Sequence, residues 1–240
     1  MRLWVVVPGI PDFDVALFAG LGIVHLSMNV LEESRAFLTQ FRTQYYTTGS
    51  ILPSSAALGR ALTRFIRQAK PPRRIIEIGP GTGAVTRVLV DAIRPGDSVD
   101  IVEINDAFVE VIRKRFEEEP AFRRVRDQCR VLHSPIQDVP GIGEHDFMIS
   151  GIPLNNFPLT LVEEIFASYR RLLKPSGVLS YFEYAAIRDM KKMMAGAAEK
   201  ARLAELDRFL KGQLRSHEIA ADFVLMNFPP AMARHLRFGM

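Results

Sequence analysis

The sequence predicts an α/β fold, with a doubly wound, mostly parallel seven-stranded sheet that ends in an antiparallel hairpin. Short apolar runs alternate along the chain with stretches of helical spacing, the pattern of a parallel sheet covered by helices on both faces. The first apolar run, residues 75–78, leads directly into a glycine-rich turn at 79–83. Doubly wound sheets bind ligands beyond the carboxyl ends of their strands, where such a turn lies.

The predicted elements follow one another in a regular order. Apolar and aromatic residues at helical spacing predict an amphipathic helix at 31–46, and the next helix begins at Ser54 or Ser55 and ends before Pro71. Strands are predicted at 75–78, 100–104, 131–133, 146–150 and 178–184, with helices at 84–93, 106–118 and 160–173. A turn at 175–177 precedes the fifth strand, helical sequence fills 187–214, and strands at 223–227 and 235–238 form the final hairpin.

Composition and charge limit the class of protein. With 240 residues, of which 48% are hydrophobic and 24% charged, a single α/β domain with a sizeable core is the default. The net charge of +4 permits an anionic partner, either phospholipid or nucleic acid. The single cysteine, Cys129, excludes an internal disulfide and a CxxC zinc site, and it suits a reducing compartment. We therefore expect a cytoplasmic protein without a bound metal.

The N-terminal segment, residues 1–46, is predicted to be distinct from a main domain at 47–240. Its run 15–31 is uncharged and mostly apolar, but it lies at the lower limit of membrane-span length and contains His25 and Asn29. Prolines and aspartates before the run fit a secretory signal poorly. We expect a peripheral segment, and whether residues 1–27 belong to the native chain, with Met28 as the alternative start, stays open.

The glycine turn and two carboxylates form the most informative pattern. Glu77 ends the first strand, and Gly79, Gly81 and Gly83 follow it. Glycines let a turn tighten and let the backbone approach a ligand closely. Glu103 ends the second strand twenty residues beyond the last of these glycines, where a carboxylate holds a ribose diol. The pattern therefore predicts a site for an adenosine-containing cofactor.

Two cofactor classes fit a glycine turn. The spacing Gly79-x-Gly81-x-x-Ala84 also matches the dinucleotide pattern, so a nicotinamide oxidoreductase is an alternative. However, Glu77 would repel a pyrophosphate and would suit a cationic group. The series Glu77-x-Gly79-x-Gly81-x-Gly83, followed by Glu103-Ile-Asn, resembles the signature of class I S-adenosylmethionine-dependent methyltransferases. We therefore expect S-adenosyl-L-methionine as the cofactor and a Rossmann-like methyltransferase fold.

The resemblance implies a role for each residue of the pattern. Glu77 and the glycines would surround the methionine part, Glu103 would accept the ribose hydroxyls, and Ile104 would pack against adenine. Many members of the class place an aspartate two residues after the third strand, where this chain has Pro135. The adenine amino group would then be held by Ile136 and Gln137, through backbone groups or the Gln137 side chain, or by Asp138.

The loop after the fourth strand is the candidate substrate site, because it faces the transferable methyl. The resemblance to amino-methylating enzymes places Ser150, Gly151 and Pro153 there as catalytic candidates, with Ser150 also near the cofactor. Adenine methylases have Asn or Asp first in this loop and an aromatic residue after the proline, which stacks on the flipped base. This chain has Ser150 and Leu154 at those positions, which argues against an adenine substrate.

The chain resembles bacterial phospholipid N-methyltransferases over about residues 31–238. The resemblance depends on Ser150-Gly-Ile-Pro153 and on segments 48–55 and 228–235. The frame is also similar to ribosomal RNA adenine dimethylases. The resemblance implies methylation of an ethanolamine-type headgroup at the inner face of a membrane. The amine must lose a proton, and the candidate acceptors near the crevice are Tyr45, Tyr46, Ser150, Glu183, Tyr184 and His133. We favour Tyr45 or Tyr46, which lie next to segment 48–55, to accept the proton or to hold the methylated cation. An RNA adenine N6-methyltransferase, a methyltransferase of another small or lipid amine, and a non-catalytic binder remain open.

Two stretches are candidates for contact with an anionic phospholipid surface. Residues 31–46 carry an aromatic-rich stripe, and residues 187–215 combine an apolar stripe with eight basic and four acidic residues. Apolar and basic side chains together are typical of helices that lie on a membrane. Two ordinary core-facing helices would show the same stripes, so this alternative also stays open.

Overall fold

The computed structural model describes residues 54–184 and 196–239. The predicted helix at 31–46, Tyr45 and Tyr46, the apolar run 15–31 and residues 187–195 lie outside the described residues.

The described helices and strands alternate as the sequence predicts. The helices are α1 (Ala56–Leu62), α2 (Arg64–Gln68), α3 (Ala84–Val90), α4 (Asp106–Glu118), α5 (Pro120–Arg123), α6 (Leu159–Leu172) and α7 (Ala197–His217). The strands are β1 (Arg74–Ile78), β2 (Ser98–Glu103), β3 (Cys129–His133), β4 (His145–Ser150), β5 (Leu173–Tyr184), β6 (Glu218–Val224) and β7 (Ala231–Leu236). Short 3₁₀ turns lie at Arg126–Gln128, Ile136–Asp138 and Leu154–Asn156.

The seven strands form one sheet in the order β3-β2-β1-β4-β5-β7-β6, which confirms the predicted fold class. Strands β1 to β5 pair in parallel, and β7 pairs antiparallel with both β5 and β6. The chain runs outward from β1 to β2 and β3 and then returns to β4 on the other side of β1. The order of strands therefore reverses between β1 and β4, and a crevice for a ligand opens there at the carboxyl ends of the strands.

The central strands are buried on both faces. In β1 the side chains of Ile75, Ile76 and Ile78 are almost completely buried, as expected for a parallel strand that helices cover on both sides. Leu89 of α3 packs in the core cluster of one face together with Ile75. This apolar core holds the carboxyl ends of β1, β2 and β4 in a fixed register, and the loops that follow them carry the predicted site.

Strand β5 corrects one predicted boundary. The turn predicted at 175–177 is part of the strand, whose pairing with β4 shifts from His145↔Leu173 to Phe147↔Val178. The backbone is crowded at this irregularity, because a Cβ on Gly177 would lie 2.9 Å from the His145 carbonyl oxygen. Gly177 therefore allows β4 and β5 to approach closely. The sequence pattern had indicated a turn between two elements at this position.

Part of the stripe that was a candidate for membrane contact is buried in helix α7. The apolar stripe of residues 187–215 includes Leu203, Leu206 and Leu210, and all three are completely buried. Arg202, one of the eight basic residues, donates from Nη1 to the Phe157 carbonyl at 2.7 Å and pairs with Glu199. Within its described part this stretch is therefore a core-facing helix, because its stripe covers the sheet.

The terminal hairpin is confirmed, with longer strands than predicted. The predicted strands at 223–227 and 235–238 overlap only the last two residues of β6 (Glu218–Val224) and of β7 (Ala231–Leu236). Residues 225–227 lie in the turn and residues 237–238 follow β7, so those parts of the prediction were wrong. The pattern of β6 is weak because Ala220 and Ala221 contribute little apolar surface and a register shift lies between Glu218 and Ala220. Sequence periodicity therefore detected only the apolar end of this strand.

Candidate functional site

The glycine turn after β1 adopts a conformation that other residues rarely tolerate. Gly79, Gly81 and Gly83 have φ angles of 65°, 57° and 83°, all in the left-handed region. A Cβ on Gly83 would lie 2.7 Å from Ile112 Cδ1, whereas a Cβ on Gly81 would meet nothing within 4 Å. Gly83 therefore serves close packing against α4, and Gly81 borders open space that a ligand can enter.

Glu103 ties the end of β2 to this turn. Its buried carboxylate accepts three backbone N–H groups: Ile104 at 2.8 Å and Asn105 at 2.9 Å on Oε1, and Gly81 at 3.0 Å on Oε2. Burial raises the pKa of Glu103, although these hydrogen bonds oppose the effect. A carboxylate oxygen can accept two hydrogen bonds, so Oε2 keeps an acceptor position for a ligand hydroxyl.

Glu77 is a buried carboxylate with an unsatisfied oxygen. It pairs in register with Ile101, two residues before Glu103, so both carboxylates lie on one face of the sheet. Burial raises the pKa of Glu77 to about 8, with a smaller opposing effect of Thr86 and a smaller additional rise from Glu103. The Thr86 hydroxyl lies near enough to favour the charged form of Glu77, but neither this hydroxyl nor Glu77 Oε2 makes a hydrogen bond of normal geometry among the described residues.

An unsatisfied carboxylate beside an open glycine turn fits a cationic ligand. A positive group near Glu77 would lower its pKa and supply the missing interaction. S-adenosylmethionine carries a sulfonium and an amino group, and its ribose hydroxyls suit the remaining acceptor position of Glu103. The residues present therefore fit this cofactor.

Ser150, at the end of β4, is completely buried. Its Oγ lies 2.6 Å from the hydroxyl oxygen of Tyr169 on α6, and it accepts the Ile152 N–H at 3.3 Å. Burial raises the pKa of Tyr169 well above its usual range. Sequence reasoning missed Tyr169, although its position on the apolar face of α6 placed it against β4. These contacts fix the start of the loop, and a direct contact of Ser150 with substrate or cofactor stays a prediction.

The loop after Ser150 packs tightly against the glycine turn. Gly151 donates to the Ile78 carbonyl at 2.8 Å, and a Cβ on Gly151 would overlap the Gly79 carbonyl oxygen. The loop continues through Pro153 to a 3₁₀ turn in which Leu154 is buried. The structure thus brings together the predicted substrate loop and the predicted cofactor turn. The close contact also explains why position 151 is glycine without any catalytic role for that residue.

The predicted adenine-binding residues lie in the 3₁₀ turn after β3. Arg171 of α6 donates to the carbonyls of Ile136 at 3.4 Å and Gln137 at 3.2 Å, a contact that sequence reasoning missed. Gln137 Oε1 is buried and has no hydrogen-bond partner in the described part of the chain. An amide oxygen can accept a hydrogen bond from an exocyclic amine. The side chain of Gln137 is therefore a better candidate for the adenine amino group than either carbonyl.

Comparisons with known proteins agree with this site. A family model described as "Methyltransferase domain" matches residues 75–177, which include the glycine turn, Glu103 and the loop after β4. Ornithine lipid N-methyltransferase of Singulisphaera acidiphila is 33% identical over 144 residues, which cover 60% of this chain and 74% of that protein.

Other matches cover a smaller part of their proteins. Lovastatin diketide synthase lovF of Aspergillus terreus is 28% identical over 146 residues, and the chain spans 6% of its length. Ribosomal RNA small subunit methyltransferase A of Parasynechococcus marenigrum is 34% identical over 86 residues, 36% of this chain and 27% of that protein.

The fold also matches solved methyltransferase structures. The glycopeptide N-methyltransferase MtfA complexed with sinefungin aligns with a TM-score of 0.58 at 16% identity, over 78% of this chain and 87% of that one. The strand order, the glycine turn with its two carboxylates and the matching family model lead to one assignment: the chain belongs to the class I S-adenosylmethionine-dependent methyltransferases.

Proposed function

We propose that this enzyme methylates the amine of a membrane-lipid headgroup, with phosphatidylethanolamine-type and ornithine lipids as the candidate substrates. The observation that carries the proposal is the 33% identity to an ornithine lipid N-methyltransferase, because the match spans 74% of that protein. The absence of an aromatic residue at Leu154, where adenine methylases stack the base, supports an acceptor other than a nucleobase.

The chain's own residues bind and orient the reactants. S-adenosylmethionine supplies a methyl group that an amine can attack in line with the carbon–sulfur bond. Glu77 would hold the cofactor's cationic part, Glu103 would hold its ribose, and the open space beside Gly81 would admit it. Transfer then depends mainly on the alignment of the amine with the methyl group, for which the loop of Gly151 and Pro153 forms one wall.

The amine must lose a proton before it can attack, because an ammonium has no lone pair. We propose that Glu183, which lies within the described residues, binds this ammonium and accepts its proton. Glu183 lies at the carboxyl end of β5, two residues beyond Tyr181, which pairs with Ser150. Tyr181 donates from its hydroxyl to Glu183 Oε1 at 3.2 Å, which orients the carboxylate. The candidates that the sequence favoured, Tyr45 and Tyr46, lie outside the described residues and stay predictions.

We also propose that the enzyme works at the inner face of the membrane as a peripheral protein, with residues 47–240 as the catalytic domain. Among the helices in residues 54–184 and 196–239, none has the length and apolarity needed to cross a bilayer. An anionic leaflet would attract a chain with a net charge of +4.

The test is methyl transfer from labelled S-adenosylmethionine to a total lipid extract, to purified ribosomal RNA and to free ornithine and ethanolamine in parallel. We expect label in an amine-containing lipid, and label in RNA alone would overturn the proposal. Glu183→Gln keeps the size of the side chain but cannot accept the proton. It should lower kcat at least about tenfold and leave cofactor affinity unchanged, whereas a merely structural defect would lower both.

An RNA adenine N6-methyltransferase is the second candidate function. The identity of 34% to a ribosomal RNA methyltransferase over 86 residues favours it. That match covers 27% of the relative, against 74% for the lipid methyltransferase. Transfer to RNA in the same assay would establish this candidate in place of the first.

A further inference from the structure

The end of β6 and the loop that joins it to β7 expose four large apolar side chains that lie close together in the chain. We define the hairpin tip as Phe223, Leu225, Met226 and Phe228, whose exposed fractions range from 58% to 81%. Single exposed apolar residues are normal in proteins, whereas a contiguous patch marks a contact surface. Four large apolar side chains within six residues form such a patch.

Internal hydrogen bonds hold the tip in this arrangement. Asn227, in the middle of the loop, is buried. Its Oδ1 accepts the backbone N–H of Ser55 at 2.9 Å, and its Nδ2 donates to the Pro229 carbonyl at 2.8 Å. The polar residue thus faces the protein and its apolar neighbours face outward, which is the reverse of a turn adapted to water. The exposure is therefore a property of the fixed loop.

The hairpin tip lies at the same edge of the sheet as the active site. Ala231, which begins β7, pairs with Tyr184 at the carboxyl end of β5 and with Val224 at the end of β6. The glycine turn and the loop after Ser150 also leave the sheet at the carboxyl ends of their strands. An object that contacts the tip therefore faces the edge where methyl transfer takes place.

We propose that the hairpin tip inserts into the lipid–water interface and places the active site at the level of the headgroups. This inference rests on the proposed lipid substrate and names the part of the chain that reaches it. Apolar side chains enter the boundary between headgroups and acyl chains, while nearby basic residues bind anionic lipids. The chain's net charge of +4 supports attraction of the whole molecule to an anionic leaflet.

The test compares two exposed apolar sites on opposite edges of the sheet. The double variant Leu225→Gln/Met226→Gln removes half of the tip without a change of charge. Ile142→Gln is the matched control, because Ile142 is 80% exposed and lies in the loop before β4, at the amino end of that strand. Both chains should bind S-adenosylmethionine like the parent, since the three altered side chains are 70–81% exposed.

The measurement is co-sedimentation of each chain with vesicles of phosphatidylcholine and phosphatidylglycerol at low and high salt. We expect the double variant to partition at least about tenfold more weakly than the parent, because it loses two apolar side chains from the interface. The control should partition like the parent. Equal partitioning of the double variant and the parent would overturn the proposal.

Two other occupants of the tip would give different results. If the parent self-associates in analytical ultracentrifugation and the double variant does not, while vesicle binding is equal, the tip is an interface between two copies. Trp4 is the only tryptophan in the sequence. If the double substitution shifts its fluorescence in the absence of lipid, the occupant of the tip is the chain's own N-terminal segment. Either result overturns membrane insertion.

The inference and the proposed function fail in distinguishable ways. Methyl transfer to lipid dispersed in detergent does not need insertion, so the double variant should match the parent there and lose activity only on vesicles. If the tip governs vesicle binding but no lipid is methylated under either condition, the proposed substrate is wrong and the insertion stands. If lipid is methylated in detergent but the tip does not affect vesicle binding, the insertion is wrong and the function stands.

Discussion

Replacement of Glu77 by glutamine should stabilise the ligand-free protein at alkaline pH and weaken cofactor binding. Glutamine has nearly the same shape as protonated glutamate, so it fits the buried position without a charge. The folded state holds the pKa of Glu77 at about 8, against 4.5 for an unburied glutamate. The folded chain therefore binds more protons than the unfolded chain between these values, and the parent's free energy of unfolding must fall as pH rises from about 4.5 to about 8.

The size of this effect follows from the two pKa values. A difference from 4.5 to about 8 corresponds to about 5 kcal/mol once the carboxylate is fully ionised above pH 8. Between pH 6 and pH 9, the stability of Glu77→Gln relative to the parent should increase by about 3 kcal/mol. Unfolding by urea at several pH values measures it. Glu110→Gln makes the same chemical change on the exposed surface of α4, where Glu110 pairs with the half-exposed Arg113, and serves as the control variant.

Cofactor binding should change in the opposite direction. A cationic ligand lowers the pKa of Glu77, so binding to the parent releases a proton below pH 8 and strengthens as pH rises. The variant should show no such release, and at pH 8 it should bind S-adenosylmethionine about 100-fold more weakly. Calorimetry in buffers of different ionisation enthalpy measures both quantities. Parallel stability curves for variant and parent, together with equal proton release, would refute the account of Glu77.

The glycine turn and a buried ion pair give three further predictions. Gly81→Val should abolish S-adenosylmethionine binding in calorimetry because its side chain enters the open space of the turn; binding equal to the parent would disprove the turn assignment. Gly83→Ala should lower the free energy of unfolding by about 1–3 kcal/mol, since its Cβ would meet Ile112 Cδ1 at 2.7 Å, and an unchanged melting temperature would contradict this. Asp97→Ala should cost about 3–5 kcal/mol in urea unfolding because it leaves the buried Arg73 guanidinium without its partner; a cost near that of an exposed pair would show that the pair is hydrated.

Periodicity predicted the fold because the sheet imposes strong patterns on the sequence. Strand β1 is covered on both faces, so its run of isoleucines identified it as a central strand. The glycine turn was readable for a similar reason, since three residues with positive φ leave few alternatives to glycine. The position of Glu103 followed from the spacing of two consecutive parallel strands. Each of these features leaves a recognisable pattern within a short stretch of sequence, even where the contacts that require it are distant.

Contacts between distant segments were not predictable in this way. The bond between Ser150 and Tyr169 joins β4 to α6, and the bonds from Arg202 and Arg171 join two helices to loops elsewhere in the chain. Nothing in a single sequence distinguishes an arginine that binds a distant carbonyl from one that faces water. The same ambiguity explains α7, whose apolar stripe fits either a membrane or a core until the packing of Leu203, Leu206 and Leu210 is known.

The two carboxylates of the site have different hydrogen-bonding roles, and this difference explains why both are needed. Glu103 accepts three backbone N–H groups, so it is preorganised and defines the shape of the turn before any ligand arrives. Glu77 has an unsatisfied oxygen and a pKa raised to about 8, so its charged form is favourable only beside a cation. Glu103 therefore shapes the site with its hydrogen bonds already formed. The charged form of Glu77 destabilises the ligand-free protein, and a sulfonium cofactor would relieve this destabilisation. Selectivity for a cationic over a neutral or anionic nucleotide then follows from burial of Glu77, because only a positive ligand removes the penalty of its charge.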